Sequence, residues 1–131
     1  MLKRKTVVST LVLHLFKHQK RPLSVSEILQ ELSLLGKTPN KTTIYRILDK
    51  CVQSKLISRI PLNNGIQYFE LNTGAHHHHF FCTICSKLIC LSSCAVDSRF
   101  IRSMIPSSEY VVESHDFNLY GKCHSCQESP A

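Results

Sequence analysis

The sequence predicts an α+β fold built from two modules, at residues 1–71 and 76–131, with a short hinge at residues 72–75. The first observation is that three helical patterns are followed by a β-hairpin signal. The second is that two Cys-x-x-Cys pairs and a run of four histidines are confined to the second module. The third is charge. Residues 1–71 hold 12 Lys and Arg against 4 Asp and Glu, a net charge of +8, whereas residues 72–131 carry −1. The first module therefore suits a polyanion and the second suits metal.

Three helices are predicted in the first module. The first spans residues 6–18, where apolar side chains recur on one face. The second begins at residues 24–27, a capping box in which a serine caps the helix and a glutamate reaches back. The third is capped by Asn40 or Thr42 and runs to about residue 54. Its predicted buried face consists of Ile44, Ile47, Leu48, Cys51 and Val52.

The N-terminal segment also has features of a secretory signal peptide, because basic residues 3–5 precede an apolar run. Further basic side chains follow that run at once, and there is no small-residue cleavage site. We therefore interpret the segment as a helix that packs on the core. No stretch of the sequence is long enough to span a membrane.

A hairpin is predicted from strands at 56–60 and 66–71, which flank the turn Asn63-Asn64-Gly65. Three helices followed by a hairpin is the order of a winged helix-turn-helix, whose third helix enters the major groove of DNA. An ordinary α+β domain with a solvated basic face is the alternative, and charge alone does not separate the two.

Two cysteine pairs, Cys82-x-x-Cys85 and Cys123-x-x-Cys126, predict a tetrahedral zinc site. The alternatives are a disulfide or a redox pair. Seven cysteines, an odd number, in paired spacing favour metal in a reducing compartment, so we expect a cytoplasmic protein.

The histidine run at residues 76–79 leads directly into the first cysteine pair. A purification tag or a loose metal-binding tail is the alternative, but such segments lie at termini or in linkers. On a strand, His77 and His79 would share one face, and His76 and His78 the other. One strand could therefore serve two metal sites.

The rest of the second module is predicted to alternate strands with one helix. Strands are expected at 87–91, 110–115 and 117–120, and a helix at about 95–105. Cys94 is interpreted as a helix-start residue, with a spare thiol or a redox partner as alternatives.

Four motifs in this order together resemble the ferric uptake regulator family of metal-dependent transcriptional repressors. They are residues 43–48, Gly65 with residues 68–71, the His run into Cys82-x-x-Cys85, and residues 115–126. The resemblance extends over residues 6–126, and the ordered set is specific although each piece alone is weak.

The resemblance implies a winged-helix DNA-binding domain at 1–71 and a small α/β dimerisation domain at 76–131. It further implies a homodimer that binds pseudo-palindromic operator DNA with metal as corepressor, controls metal-homeostasis genes and is not an enzyme.

Three ligand sets follow from the resemblance by position. The structural zinc site takes Cys82, Cys85, Cys123 and Cys126. The sensing site at the hinge takes Glu70, His77 and His79. A further site takes His76, His78, Asp97 and His115.

DNA contacts are implied for Tyr45 and Arg46 on the third helix. We also expect Lys41, Thr43, Lys50 and Arg4 to lie at the DNA interface, because their side chains suit phosphate and base-edge contacts.

The sequence departs from the family at several positions, including Ser9, Leu23 and His78, where many members have an arginine, a histidine and an acidic ligand. One departure falls on a sensing ligand. A carboxylate ligand five residues after the first cysteine pair is Cys90 here, so we expect Cys90 to join the sensing site. A thiolate favours zinc, iron(II) with added water is the alternative, and manganese(II) is least favoured.

Two other classes of function compete with a regulator. A zinc hydrolase would need an open coordination position with a general base beside it, and no His-Glu-x-x-His motif supports one. A zinc-stabilised interaction module without DNA binding fits the +8 charge of the first module poorly.

Overall fold

The computed structural model describes residues 6–73, 77–91, 94 and 96–128. The chain divides into two compact units, Met1–Gly74 and Ala75–Ala131. The predicted α+β class is confirmed, since both units combine helices with a small sheet.

The first unit contains the three predicted helices, α1 (Val7–Gln19), α2 (Val25–Leu34) and α3 (Lys41–Gln53). Each begins where a side chain accepts a hydrogen bond from a backbone N–H of the first turn. In the predicted capping box, the N–H of Glu27 donates to Ser24 Oγ at 3.2 Å, and the N–H of Ser24 donates to Glu27 Oε1 at 3.0 Å. Asn40, one of the two predicted caps, begins α3.

The sheet of the first unit has three antiparallel strands in the order β1–β3–β2. They are β1 (Leu23–Ser24), β2 (Ile57–Pro61) and β3 (Gln67–Leu71). The predicted hairpin is β2–β3, and Gly65 in its turn has φ +82°, a conformation that favours glycine. The two-residue β1 was not predicted, because it forms only against β3. With β1 between the first two helices and the hairpin after α3, this is the winged helix-turn-helix arrangement.

The core of the first unit lies among its three helices and β3. It includes Cys51, which is 2% exposed and whose burial raises the pKa of its thiol. Cys51 therefore behaves as a small apolar side chain. The core residues are Val12, Leu15, Phe16, Leu23, Val25, Ile28, Leu32, Ile44, Leu48, Cys51, Ile57 and Phe69.

The second unit contains a three-stranded sheet in the order β5–β4–β6. The central β4 (His78–Cys82) pairs antiparallel with β5 (Leu88–Leu91) and parallel with β6 (Asn118–Gly121). Helix α4 (Ser98–Met104) lies between β5 and β6 in the chain, and α5 (His124–Glu128) follows β6. His78 and His79, the last two histidines of the run, therefore lie in the middle strand of the sheet.

Two expectations for the second unit were wrong. The helix predicted at 95–105 begins at Ser98, because the Asp97 carboxylate caps it, so Cys94 is not a helix-start residue. The strand predicted at 110–115 is not formed. Its alternating pattern belongs to an exposed segment, with Val111 84% exposed, and both edges of the central strand are already occupied by β5 and β6.

Across the described ranges, every helix is too short or too polar to cross a bilayer.

The capping box yields a stability prediction. Ser24→Ala removes the side-chain acceptor for the Glu27 N–H, and we expect it to lower the free energy of unfolding by about 1 kcal/mol. Ser26→Ala, an exposed neighbour on the same helix, is the matched control, with an expected effect within about 0.5 kcal/mol. Urea denaturation of the zinc-loaded protein, followed by circular dichroism, gives both values. Equal effects of the two substitutions would show that the cap contributes nothing.

Candidate metal centres and nucleic-acid interface

The two cysteine pairs come together at one end of the second sheet. The Sγ atoms of Cys82, Cys85, Cys123 and Cys126 all lie within 4.8 Å of one another. The Sγ atoms of Cys85 and Cys123 are 3.8 Å apart, and none of the four cysteines is in a disulfide. Two thiolates bound to one tetrahedral zinc ion stand about 3.8 Å apart, from a Zn–S bond of about 2.3 Å. The cluster therefore fits a zinc ion held by four cysteines.

Local backbone hydrogen bonds hold this arrangement. Cys82 ends β4, and the Ser86 N–H donates to its carbonyl at 2.9 Å, which closes the first knuckle with Ser86 at φ 66°. The Thr83 N–H donates to the Gly121 carbonyl at 2.8 Å, which ties that knuckle to the end of β6. Because Cys123 follows β6 by two residues, the parallel pairing of β4 with β6 delivers both cysteine pairs to the same place.

The pKa values of Cys82 and Cys126 are shifted in opposite directions. The backbone N–H groups of Cys85 and Cys123 donate to Cys82 Sγ, at 3.5 and 3.4 Å, and lower the pKa of Cys82 to about 6. Hydrogen bonding with the Cys123 side chain raises the pKa of Cys126 to about 12. Zinc takes thiolates as ligands, so binding releases the remaining protons, and the affinity for zinc falls as the pH falls.

A second cluster lies on one face of β4 and its neighbour β5. One ligand atom from each of His77, His79 and Cys90 lies within 4.8 Å of the others. His79 and Cys90 are directly paired across the strands, and the rings of His77 and His79 meet edge to face at 4.9 Å. His79 is 6% exposed whereas Cys90 is exposed. The fourth predicted member, Glu70, lies on β3 of the first unit, opposite Ser58.

A third cluster contains His78, Cys94 and His115. Of the residues predicted for the further site, His78 and His115 are brought together, and His76 lies outside the described residues. Asp97 caps α4 and is absent from the described cluster. Cys94 was missed by sequence reasoning. The spacing of Cys94 from His78 and His115 matches no known metal-binding motif. The only signal in the sequence was the alternation along β4, which indicated that His78 faces away from His79.

The outer face of α3 carries the residues predicted to contact DNA. Lys41, Arg46 and Lys50 are exposed, Tyr45 is 46% exposed and Thr43 is partly buried. The opposite face is buried in the core through Ile44, Leu48 and Cys51. Arg4 lies outside the described residues. Arginine and lysine side chains on an exposed helix suit contacts with phosphates and with guanine edges in the major groove.

Comparison with known proteins gives a consistent result. The model of the ferric uptake regulator family matches residues 3–120. The ferric uptake regulation protein of Bordetella parapertussis is 31% identical over 112 residues, which cover 86% of this chain and 80% of that protein.

Solved structures agree. The ferric uptake regulator of Francisella tularensis with iron superposes with a TM-score of 0.79 at 28% identity, covering 98% of both chains. The Vibrio cholerae ferric uptake regulator, described with a rearrangement of its DNA-binding domains, gives 0.77 at 26% identity over 92% of both chains.

The four-cysteine cluster predicts the effect of losing one ligand. Cys123→Ser should lose about one tightly bound zinc ion per chain, because a structural site of this kind needs all four positions. It should also be less stable and aggregate, since the binding energy of zinc is part of the folding energy. Zinc released by a chelating dye and the mass in solution measure both effects.

Cys51→Ala is the matched control, since Cys51 is buried in the other unit and belongs to no ligand cluster among the described residues. It should keep its zinc. Full zinc content and an unchanged molecular mass in Cys123→Ser would rule out the site.

Proposed function

The chain belongs to the ferric uptake regulator family, and on that premise we propose that it represses transcription by binding operator DNA as a metal-loaded homodimer. That it is a metal-responsive transcription regulator follows from the family. The observation that supports operator binding is helix α3, which has one face buried in the core and a basic face exposed.

In this proposal, α3 is the helix that reads DNA. Arg46 donates two hydrogen bonds to the O6 and N7 atoms of guanine, or binds a phosphate. Tyr45 packs on a thymine methyl group or donates a hydrogen bond to a phosphate. Lys41 and Lys50 neutralise phosphates on either side. Their exposure, together with the net charge of +8 over residues 1–71, supports the assignment.

A homodimer presents two copies of α3 related by a two-fold axis. The operator is then pseudo-palindromic, with half-sites about one helical turn apart or a multiple of it. The spacing between the two recognition helices must match that of the half-sites, so any change in the angle between the units of each chain affects affinity.

Metal at the hinge sets that angle. We assign the sensing site to His77, His79 and Cys90, which cluster on β4 and β5. The family resemblance supplies Glu70, on β3, as the fourth ligand. Residues 72–75, the hinge predicted from the sequence, would connect the two sides. A metal ion bound to ligands on both sides restricts the angle to one that is competent for DNA.

The ligand set favours zinc as the sensed metal. Two imidazoles, one thiolate and one carboxylate suit four-coordinate zinc, while iron(II) would add water and manganese(II) prefers more oxygen. The Francisella relative contains iron, and it is the Cys90 thiolate that shifts this chain toward zinc.

The role of α3 is tested by Arg46→Ala. On a duplex selected from a random-sequence pool by the native protein, the substitution should weaken specific binding by about 1–3 kcal/mol and leave zinc content unchanged. Binding should also fall steeply with salt, because lysine and arginine side chains displace counterions. Mobility shifts over a salt series measure both.

Arg102→Ala, an exposed arginine on α4 of the other unit, is the matched control and should bind as the native protein does. Equal binding by Arg46→Ala, or affinity independent of salt, would contradict the assignment of α3.

The hinge switch is tested by the double variant His77→Ala/His79→Ala. It should lose metal-dependent DNA binding while retaining the four-cysteine zinc and the dimer, because its two ligands belong to the sensing site alone. His14→Ala/His18→Ala, which removes an exposed pair with rings 5.9 Å apart on α1, is the matched control and should respond to metal normally. A His77/His79 variant that still binds the operator only after metal is added would refute the switch.

The metal preference is tested by Cys90→Glu. Replacing the thiolate by a carboxylate should shift the ratio of zinc to iron(II) affinities toward iron(II), and manganese(II) should improve as well. Competition titrations with a metal-sensitive dye give the ratio. An unchanged ratio would remove Cys90 from the sensing site.

A further inference from the structure

The third cluster converges on a single sulfur atom. Cys94 Sγ lies 3.2 Å from His78 Nε2 and 3.4 Å from His115 Nε2. The three residues come from separate segments, since His78 begins β4, Cys94 lies between β5 and α4, and His115 precedes β6. Two imidazole nitrogens and one thiol from three segments meeting at one point form a metal-ligand set.

The distances agree with a zinc ion at the centre. With Zn–S of about 2.3 Å, Zn–N of about 2.0–2.1 Å and tetrahedral angles, sulfur and nitrogen ligands stand about 3.6 Å apart. The observed S···N distances of 3.2 and 3.4 Å lie close to this value. Small movements of the side chains would complete the geometry.

The surroundings hold the ligands in place. His78 is 2% exposed, and its ring stacks on Phe117 with centroids 3.9 Å apart, which limits rotation of the imidazole. Cys94 and His115 are partly exposed, so an ion can enter and a water molecule can occupy the fourth position.

Asp97, which the family resemblance implies as a ligand here, has a different role. Its Oδ1 accepts a hydrogen bond from the Phe100 N–H at 2.8 Å and caps α4. Its carboxylate is not among the described atoms that gather around Cys94.

We propose that His78, Cys94 and His115 form a zinc site in which the Cys94 thiolate takes the place of the Asp97 carboxylate. Zinc binding displaces the thiol proton to solvent and leaves a thiolate, two neutral imidazoles and an open position. A thiolate makes this site more selective for zinc over iron(II) and manganese(II) than a carboxylate site would be. The ion joins the segments before α4 and before β6 to the central strand.

This site is separate from the hinge site. His78 and His79 are adjacent on β4 and therefore point to opposite faces of the sheet. The proposal depends on neither DNA binding nor the hinge switch, so its outcome is distinguishable from theirs. The alternative is that the three side chains form only hydrogen bonds, with the thiol donating to a ring nitrogen or to the Val96 carbonyl at 3.8 Å.

The experiment uses cobalt(II), which gives a thiolate-to-metal charge-transfer band only when a thiolate is bound. The full-length chain carries Cys90→Ser, so that the hinge site has no thiolate, and the four-cysteine site is kept filled with zinc. Titration with cobalt(II) should produce a band that saturates near one ion per chain. Adding Cys94→Ser should abolish the band and weaken zinc binding at this site by about 10–100-fold or more.

Asp97→Asn is the matched control, because asparagine caps a helix as well as aspartate does but is a poor metal ligand. It should keep both the band and the affinity. His115→Gln should weaken the site, which provides a second variant if Cys94→Ser folds poorly by circular dichroism. Absence of the band in the parent, its persistence in Cys94→Ser, or its loss in Asp97→Asn would overturn the proposal.

Discussion

Side chains alternate between the two faces of a β-strand, and this alternation along β4 decides which ligands meet in the second unit. His79 faces Cys90 across the pairing with β5, while His78 faces Cys94 and His115 on the other side. A register shift of one residue would exchange the two faces and dismantle both clusters. The register of β4 is therefore the constraint on which the metal chemistry depends, and the flanking strands hold it from both edges.

The four-cysteine cluster secures that register at the end of the strand. Cys82 is the last residue of β4, and its partner pair Cys123 and Cys126 follows β6, which runs parallel beside it. A zinc ion in this cluster would fix both strand ends at one point. The small sheet has few buried apolar side chains, since Phe81 and Cys82 are its only buried hydrophobic residues among those described. Metal binding therefore supplies stability that a larger core would otherwise provide.

Local patterns in the sequence predicted much of this architecture. Helix caps at Ser24 and Asn40, the hairpin turn and both cysteine pairs are encoded within a few residues, and each is present. Features that depend on distant pairing were missed. The strand β1 is two residues long and forms only by pairing with β3. The Cys94 cluster forms only when the loop that holds Cys94, the strand that holds His78 and the distant His115 come together. The Asp97 ligand was carried over by position, and in the structure this carboxylate caps α4 and is absent from the described cluster.

The central claim is that metal on the His77 and His79 face of β4 and DNA binding by α3 are coupled. Coupling of this kind is reciprocal, so DNA must change the affinity for metal by the same factor by which metal changes the affinity for DNA. The most direct measurement is a zinc titration, in a zinc-buffered solution, of protein with an intact four-cysteine site, with and without saturating operator duplex. We predict that operator increases the affinity for zinc, and that the factor equals the one by which zinc increases the affinity for operator. Identical zinc affinities with and without operator would contradict it.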